Sequence, residues 1–364
     1  MKVLYDHQIF LFQKFGGISR YHYKLYESLR QFSPKDHFEV VHNGSDNAYL
    51  TNPNKRFNWL GYRFWTNINK QVVNWKVKDF DVFHPTYYNP YFLKSFDPAR
   101  CVLTVHDMIP EREAESGNSN FQHLVASKRE MIRKAAAIIA ISETTKQDIL
   151  HYLDTDERKI AVVHHGGPDY FGNQSGEAAD HSPDVAPYLL YVGERNGYKN
   201  FRLVIEALHS FMKKNRVKLL AVGKPFNPTE SELLAQYGVE DLVTPVTNIT
   251  DGQLHQLYKY AVCFIFPSTM EGFGIPILEA FQAGCPVVCS NTAIFKEIAS
   301  DGASYFNPEE PEPLLQAVEQ VAADKQLRCH LTTEGTKRLQ AFSWEHTARL
   351  TYEVYQKVAD AARN

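Results

Sequence analysis

Three observations predict an α/β fold built from two Rossmann-like, parallel-sheet domains. Short apolar, β-branched runs alternate with longer helical patterns. The alternation occurs twice over stretches of similar length, and a polar segment separates the two series. Alternating strand and helix signals favour a doubly wound parallel sheet. In the first series, strands are predicted over Lys2–Tyr5, 38–42, 82–85, 101–106, 137–141 and 159–164. Helices are predicted over 18–31, 127–134 and 144–153, the last capped by Ser142 or Thr144. Residues 172–187 are rich in Gly, Ser, Asp and Pro and place a linker or surface loop at 171–187. The second series predicts strands over 188–192, 218–222, 243–246, 262–266, 286–290 and 304–306. Its helices fall over 201–214, 251–260, 276–283 and 313–323. The amphipathic stretch 344–361 closes the chain. The predicted domains are therefore 1–170, completed by the C-terminal helix within 344–364, and 188–343.

Composition narrows the class. With 364 residues and 44% hydrophobic content, each half can bury a sizeable core. A net charge of −3 argues against a nucleic-acid partner. The five cysteines, Cys101, Cys263, Cys285, Cys289 and Cys329, are odd in number and scattered. They form no zinc pattern and read as reduced thiols of a cytoplasmic protein. The N-terminus is not that of a signal peptide, and no apolar run approaches the roughly 20 residues of a membrane span.

The most informative segment runs from Phe266 to Ala280. A strand ends near Phe266, a turn carries Glu271-Gly272-Phe273-Gly274, and a helix begins near Ile275 with Pro276 in its first turn. Ligands of open α/β sheets bind beyond the carboxyl ends of strands. The glycines let backbone approach closely, and the opening N–H groups favour a polar or anionic ligand. Glu271 and Glu279 are placed to hold hydroxyl pairs. The alternative is a loop charge and a solvated helix residue.

This segment, with its Glu-x7-Glu spacing, resembles the donor-site signature of the GT-B glycosyltransferases of family 4. Ala283-Gly284-Cys285-Pro286-Val287-Val288 is similar to that family's next helix-to-strand connection. The resemblance covers essentially the whole chain. It implies two domains facing across a cleft, the first taking the acceptor and the second the nucleotide-sugar donor. It also implies transfer of a hexose with retention of configuration, with Glu271 on the sugar hydroxyls and Glu279 on the ribose. Gly193-Glu194-Arg195-Asn196-Gly197-Tyr198-Lys199 resembles the turn where the family holds the donor diphosphate with a basic pair, which implicates Arg195 and Lys199. Cations there offset charge on a departing nucleoside diphosphate. By the same resemblance, backbone groups around Val246 read the base. Gly272, Phe273 and Gly274 line the donor site, as does Gly193.

In the first half, Phe15-Gly16-Gly17-Ile18-Ser19-Arg20-Tyr21 resembles the family's N-terminal glycine loop, where a glycine amide meets the donor phosphate. Thr104-Val105-His106-Asp107 ends a strand, and the resemblance brings His106 near the reacting centre. The triplets Asp79-Phe80-Asp81 and Asp154-Thr155-Asp156 precede strands and read as solvated turns, so no metal or other cofactor is expected. Residues 52–78 carry six basic and no acidic side chains, interleaved with aromatics. They suit either an anionic membrane surface beneath a lipid-linked acceptor or an inward-packed helix. Members similar at Tyr5-Asp6-His7-Gln8 and Gly16-Gly17-Ile18 build bacterial surface polysaccharide, and make GDP-mannose the first donor expected, with UDP-sugars open. The competing readings are a nucleotide-sugar 2-epimerase and a non-catalytic nucleotide-sugar-binding scaffold.

Overall fold

The computed structural model describes residues 1–50, 61–168 and 187–363. The predicted linker at 171–187 lies outside the described residues, save for Pro187, and so does the 52–60 portion of the basic segment. The chain divides into two compact units, Met1–Gly166 with Phe342–Asn364, and Gly167–Ala341.

The first unit contains β1 (Lys2–Tyr5), α1 (Gln8–Phe12), α2 (Gly17–Phe32), β2 (His37–Val40), α3 (Tyr62–Lys76), β3 (Val82–His84), β4 (Val102–Val105), α4 (Ile109–Glu115), α5 (Gln122–Lys134), β5 (Ala137–Ala140), α6 (Glu143–Tyr152) and β6 (Ile160–Val162). The strands form two parallel sheets, ordered β2-β1-β3 and β4-β5-β6. A single parallel bridge, Phe83 to Cys101, connects the sheets. Ser142 caps α6, its side chain accepting from the Thr145 amide. The buried strand residues Leu4, Phe83, Leu103 and Ile138 meet Val73 and Ile132 from the helices in one core.

The second unit contains β7 (Tyr188–Val192), α7 (Phe201–Asn215), β8 (Lys218–Val222), α8 (Pro228–Tyr237), β9 (Val243–Val246), α9 (Asp251–Tyr260), β10 (Phe264–Phe266), α10 (Ile275–Gln282), β11 (Val287–Ser290), α11 (Ala293–Ala299), β12 (Ala303–Phe306), α12 (Pro311–Ala323) and α13 (Lys325–Leu339). Its six parallel strands are ordered β12-β11-β10-β7-β8-β9. The chain reverses direction across the sheet between β7 and β10, a topological switch point. In such sheets the crevice beyond these two strand ends is where ligands bind. The central strands β7, β10 and β11 are buried on both faces, as a parallel sheet covered by helices requires, while the edge strand β9 exposes Thr244 and Pro245.

The last helix, α14 (Trp344–Arg363), returns to the first unit. Its buried Tyr355 shares hydrogen bonds of 2.6 Å with the Tyr5 hydroxyl and with His84 Nδ1. These contacts join β1 and β3 to the chain's C-terminal end.

Several elements depart from the sequence-based expectation. The short helix α1 intervenes between β1 and the glycine loop. Helices α8, α11 and α13 carry no predicted counterpart, and α5 starts five residues before its predicted position. The short helices α1 and α11 span too few turns to show a period, and α13, though 15 residues long, buries only Leu331 and Gly335 and so has no apolar stripe to read.

Candidate functional site

The switch point of the second unit gathers most of the predicted donor residues. Past β7 the chain turns at Gly193, whose φ of +137° is a conformation glycine favours. It then makes a short helical turn over Gly197–Lys199. Past β10 it runs through Ser268 and Glu271 into α10, entering the helix at Gly274 with φ +111°. The two turns are fastened together, since the Thr269 amide donates to the Tyr198 carbonyl at 2.8 Å. On this frame Lys199 Nζ donates to Glu271 Oε1 at 2.5 Å. Both side chains keep some exposure, 19% and 14%. A cation and a carboxylate therefore sit side by side at the carboxyl edge, with a face open to a ligand.

Arg195 occupies a different setting. Its side chain is 3% exposed. Nε and Nη2 donate to Glu230 at 3.1 and 3.2 Å, and Nη2 also donates to the carbonyls of Lys224 and Pro225. The guanidinium lies 4.9 Å from the Phe226 ring. Glu230 in turn caps α8, accepting from the Asn227 amide. The structure thus separates the two predicted cations. Lys199 pairs with the turn carboxylate, whereas Arg195 ties its turn to the start of α8. Its Nη1 is buried and has no hydrogen-bond partner.

Glu279 is buried, at 7% exposure, so the solvated-helix alternative does not describe it. The Tyr258 hydroxyl donates to its Oε2 at 3.0 Å. Tyr258 comes from α9 and was not singled out in the sequence, where a tyrosine in an amphipathic helix carries no signal of its partner. Gly274 opens α10, where Pro276 has no N–H to satisfy and the Ile277 amide donates to the Gly274 carbonyl at 2.9 Å. Gly272 is half-buried, Phe273 is buried, and Val246 is half-buried at the end of β9.

In the first unit, Gly16 and Gly17 open α2. A Cβ added at Gly17 would meet nothing within 4 Å. His106 follows β4, and its amide donates to the Tyr88 hydroxyl at 3.2 Å. The imidazole is buried, edge-on to Tyr21 with ring centroids 4.9 Å apart, and Nε2 lacks a partner. Burial, with help from His165, His84 and Lys128, lowers its pKa to about 3, so it is neutral at physiological pH. His84 bridges Thr104 Oγ1 at 2.9 Å and Tyr355, and burial lowers it to about 3 as well.

Asp81 accepts from the Lys2 amide and pairs with Arg363, and Asp156 pairs with Arg158. Among the described residues no cluster of three metal-ligating side chains occurs. Four cysteines are buried and Cys329 is exposed. No described helix is long and apolar enough to cross a membrane. Within 61–78, α3 turns Asn69 and Val73 inward and leaves Tyr62, Phe64 and Trp75 exposed.

Comparison with known proteins gives the family and the fold. Residues 177–338 match the model of glycosyl transferases group 1, and residues 15–167 match glycosyltransferase family 4. The chain is 26% identical over 298 residues to the O-antigen chain mannosyltransferase B of Escherichia coli, covering 78% of this chain and 76% of that one. It is also 26% identical to the serotype-specific mannosyltransferase WbdA of Escherichia coli, over 73% of this chain but only 34% of that longer protein. Among solved structures, sucrose-phosphate synthase from Thermosynechococcus elongatus superposes with a TM-score of 0.75 at 18% identity, covering 99% of this chain and 100% of that one. The shared fold is GT-B.

Proposed function

The chain belongs to the group 1 glycosyltransferases of family 4, and from that premise we propose that it moves a hexose from a nucleotide-diphosphate sugar to a glycan or lipid-linked acceptor, retaining the anomeric configuration. The observation that carries this reading is the Lys199–Glu271 pair across the switch point between β7 and β10. On binding, the donor's diphosphate takes the Lys199 ammonium, and Glu271 is released to the sugar hydroxyls. The ammonium then offsets the charge that grows on the leaving diphosphate. Glu279, oriented by Tyr258, accepts from the ribose. No protein nucleophile is invoked. The acceptor hydroxyl attacks the face that the diphosphate leaves, and its proton passes to the leaving phosphate oxygen. Lys199 does the neutralising that a divalent ion does elsewhere, so the reaction runs without metal.

The mannosyltransferase relatives favour GDP-mannose as the donor and bacterial surface polysaccharide as the product. The exposed Tyr62, Phe64 and Trp75 of α3, near Arg63 and Lys78, support peripheral attachment to an anionic membrane carrying a lipid-linked acceptor, on its cytoplasmic face.

The test is thermal unfolding against UDP-, GDP-, ADP- and dTDP-sugars, with EDTA and then with magnesium. A metal-independent rise with GDP-mannose, lost in Lys199→Ala, fits the proposal. No shift with any nucleotide at millimolar concentration overturns it. The anomer formed, read by NMR on the product, tests retention.

A further inference from the structure

The first unit has a switch point of its own. In the strand order β2-β1-β3, with β4 bridged to the far side of β3, the connections reverse direction between β1 and β3. Beyond the carboxyl ends of those two strands lies a cavity of about 230 Å³. One wall comes from His7 and Gln8, just after β1, and the opposite wall from Tyr87, Tyr88 and Asn89, just after β3. The walls are tied together, as Gln8 Nε2 donates to the Asn89 carbonyl at 3.2 Å and the Asn89 amide donates to Gln8 Oε1 at 2.8 Å. The opening is formed at the topological position where an open α/β sheet binds its ligand. Every lining residue belongs to the first unit.

Its chemistry is specific. Phe12 is 63% exposed yet stacks on Tyr87, with ring centroids 5.8 Å apart and planes 22° apart. Exposed flat aromatic surface at a largely apolar cavity with a few convergent polar groups suits the apolar face of a sugar ring. The volume falls below the roughly 300–1,000 Å³ of drug-sized ligand sites, which leaves room for one ring rather than a chain. The basic lining groups are Lys70, His7 and His123, beside the hydroxyls of Tyr62, Tyr87 and Tyr88, and no carboxylate lines the cavity among the described residues. Lys70 Nζ stands 5.5 Å from the Tyr91 ring centroid and makes no ion pair with a described carboxylate. His7 is 1% exposed, and its Nδ1 has no hydrogen-bond partner. The carboxylate of Asp6, next to His7 in the chain, is fully buried. It accepts from Gln8 Nε2, Thr86 Oγ1 and Tyr91, and so is already satisfied. Among the described residues Lys70 has no ion-pair partner and His7 Nδ1 no hydrogen-bond partner, and an anion in the cavity would serve both.

We propose that this cavity is a subsite for one anionic acceptor sugar, with its ring against Phe12 and its phosphate or carboxylate on Lys70. The site selects charged over neutral acceptors. This rests on the transferase reading for the word acceptor, but the binding itself does not require it.

The test is calorimetric titration of the full chain with mannose 1-phosphate, glucuronate, methyl mannoside and inorganic phosphate, in the Lys199→Ala background so that the donor turn does not compete for phosphate. Either charged sugar should bind at least tenfold more tightly than methyl mannoside, and the better of the two names the anion. Inorganic phosphate alone should bind more weakly than the charged sugar. Lys70→Gln should abolish the preference, and Phe12→Ala, at an exposed position that folding does not need, should weaken both charged sugars at least tenfold. Equal binding of methyl mannoside, or unchanged binding in Lys70→Gln and Phe12→Ala, overturns the proposal. The donor reading is scored separately, by the nucleotide-induced shift of the unsubstituted chain. A nucleotide shift without sugar-phosphate binding removes the subsite and leaves the transferase. Sugar-phosphate binding without a nucleotide shift does the reverse.

Discussion

Lys199 and Glu271, 72 residues apart in the chain, meet at 2.5 Å where the second sheet changes direction. The pairing fixes two opposite charges at a strand edge before any ligand is present. Each serves as the other's counter-ion until the donor separates them. Lys199→Ala should therefore lower turnover by roughly 10²–10³, the scale of removing one group that stabilises developing charge. It should cost at most about 1 kcal/mol of stability, because a partly exposed pair is screened by solvent. Activity and thermal midpoint measured on one preparation check this. A midpoint collapse matching the activity loss would make Lys199 a structural residue.

Arg195 should behave in the opposite way. Its guanidinium is buried against Glu230 and two carbonyls, and only a planar fork satisfies them together. Arg195→Ala leaves the half-buried Glu230 with the Asn227 amide alone and should destabilise the second unit by about 2 kcal/mol. Arg195→Lys should recover little of that loss. Urea unfolding of both variants beside Lys199→Ala separates the roles. Unchanged stability in Arg195→Ala would return Arg195 to the set of ligand-binding cations.

The contrast shows what was legible in the sequence. The strand ends and glycine turns were, because Gly193, Gly274 and the β-branched runs carry their signal within a few residues. So were Lys199 and Glu271, each beside such a turn. The fate of Arg195 was not, although Asn227-Pro228-Thr229-Glu230 is a readable capping sequence. Nothing local says that the capping glutamate also takes an arginine 35 residues earlier. The Tyr258 contact to Glu279 and the Tyr355 contact to His84 are likewise long-range, and periodicity is blind to them. The cavity at the first switch point was hidden for a further reason. It depends on the strand order, which no single segment encodes.

Tyr258→Phe tests the long-range contact at the donor site. The substitution removes one hydroxyl and leaves the ring packed on Phe264, 5.2 Å away between centroids. A hydrogen bond to a charged group contributes about 1.5–3 kcal/mol. If Glu279 holds the ribose, the donor KM should rise about tenfold or more with kcat nearly unchanged, since that contact is equal in ground and transition states. A fall in kcat at constant KM would place Glu279 elsewhere in the reaction.

Gly17 offers a test free of folding effects. A methyl group there meets no protein atom within 4 Å, so Gly17→Ala should leave the midpoint within about 0.5 kcal/mol of the parent. If a donor phosphate approaches that amide, the same methyl group should raise the donor KM at least tenfold. Parental kinetics in Gly17→Ala would remove the glycine loop from the donor site.

The buried imidazoles of the first unit set its response to acid. His84 and His106 are lowered to about 3, and His22 also lies well below the usual histidine range, all chiefly by burial. An unfolded chain titrates each near 6.5. Between about pH 6.5 and 3 the unfolded state therefore binds protons that the folded state refuses, and stability rises with pH across that window. The stabilisation is complete above about 6.5 and is lost as pH falls, by up to about 1.4 kcal/mol per pH unit for each imidazole. Carboxylates held low, such as Asp36, give a slope of the same sign, so the informative quantity is the difference between variants. His106→Asn should remove one imidazole's share of the slope between pH 6.5 and 5, and His84→Asn another. His84→Asn should also lower stability at pH 7.5, because Thr104 and Tyr355 lose the ring that joins them. Urea unfolding at half-unit pH steps reads both effects. Parallel pH profiles in parent and variants would mean that these rings accept protons in the folded state.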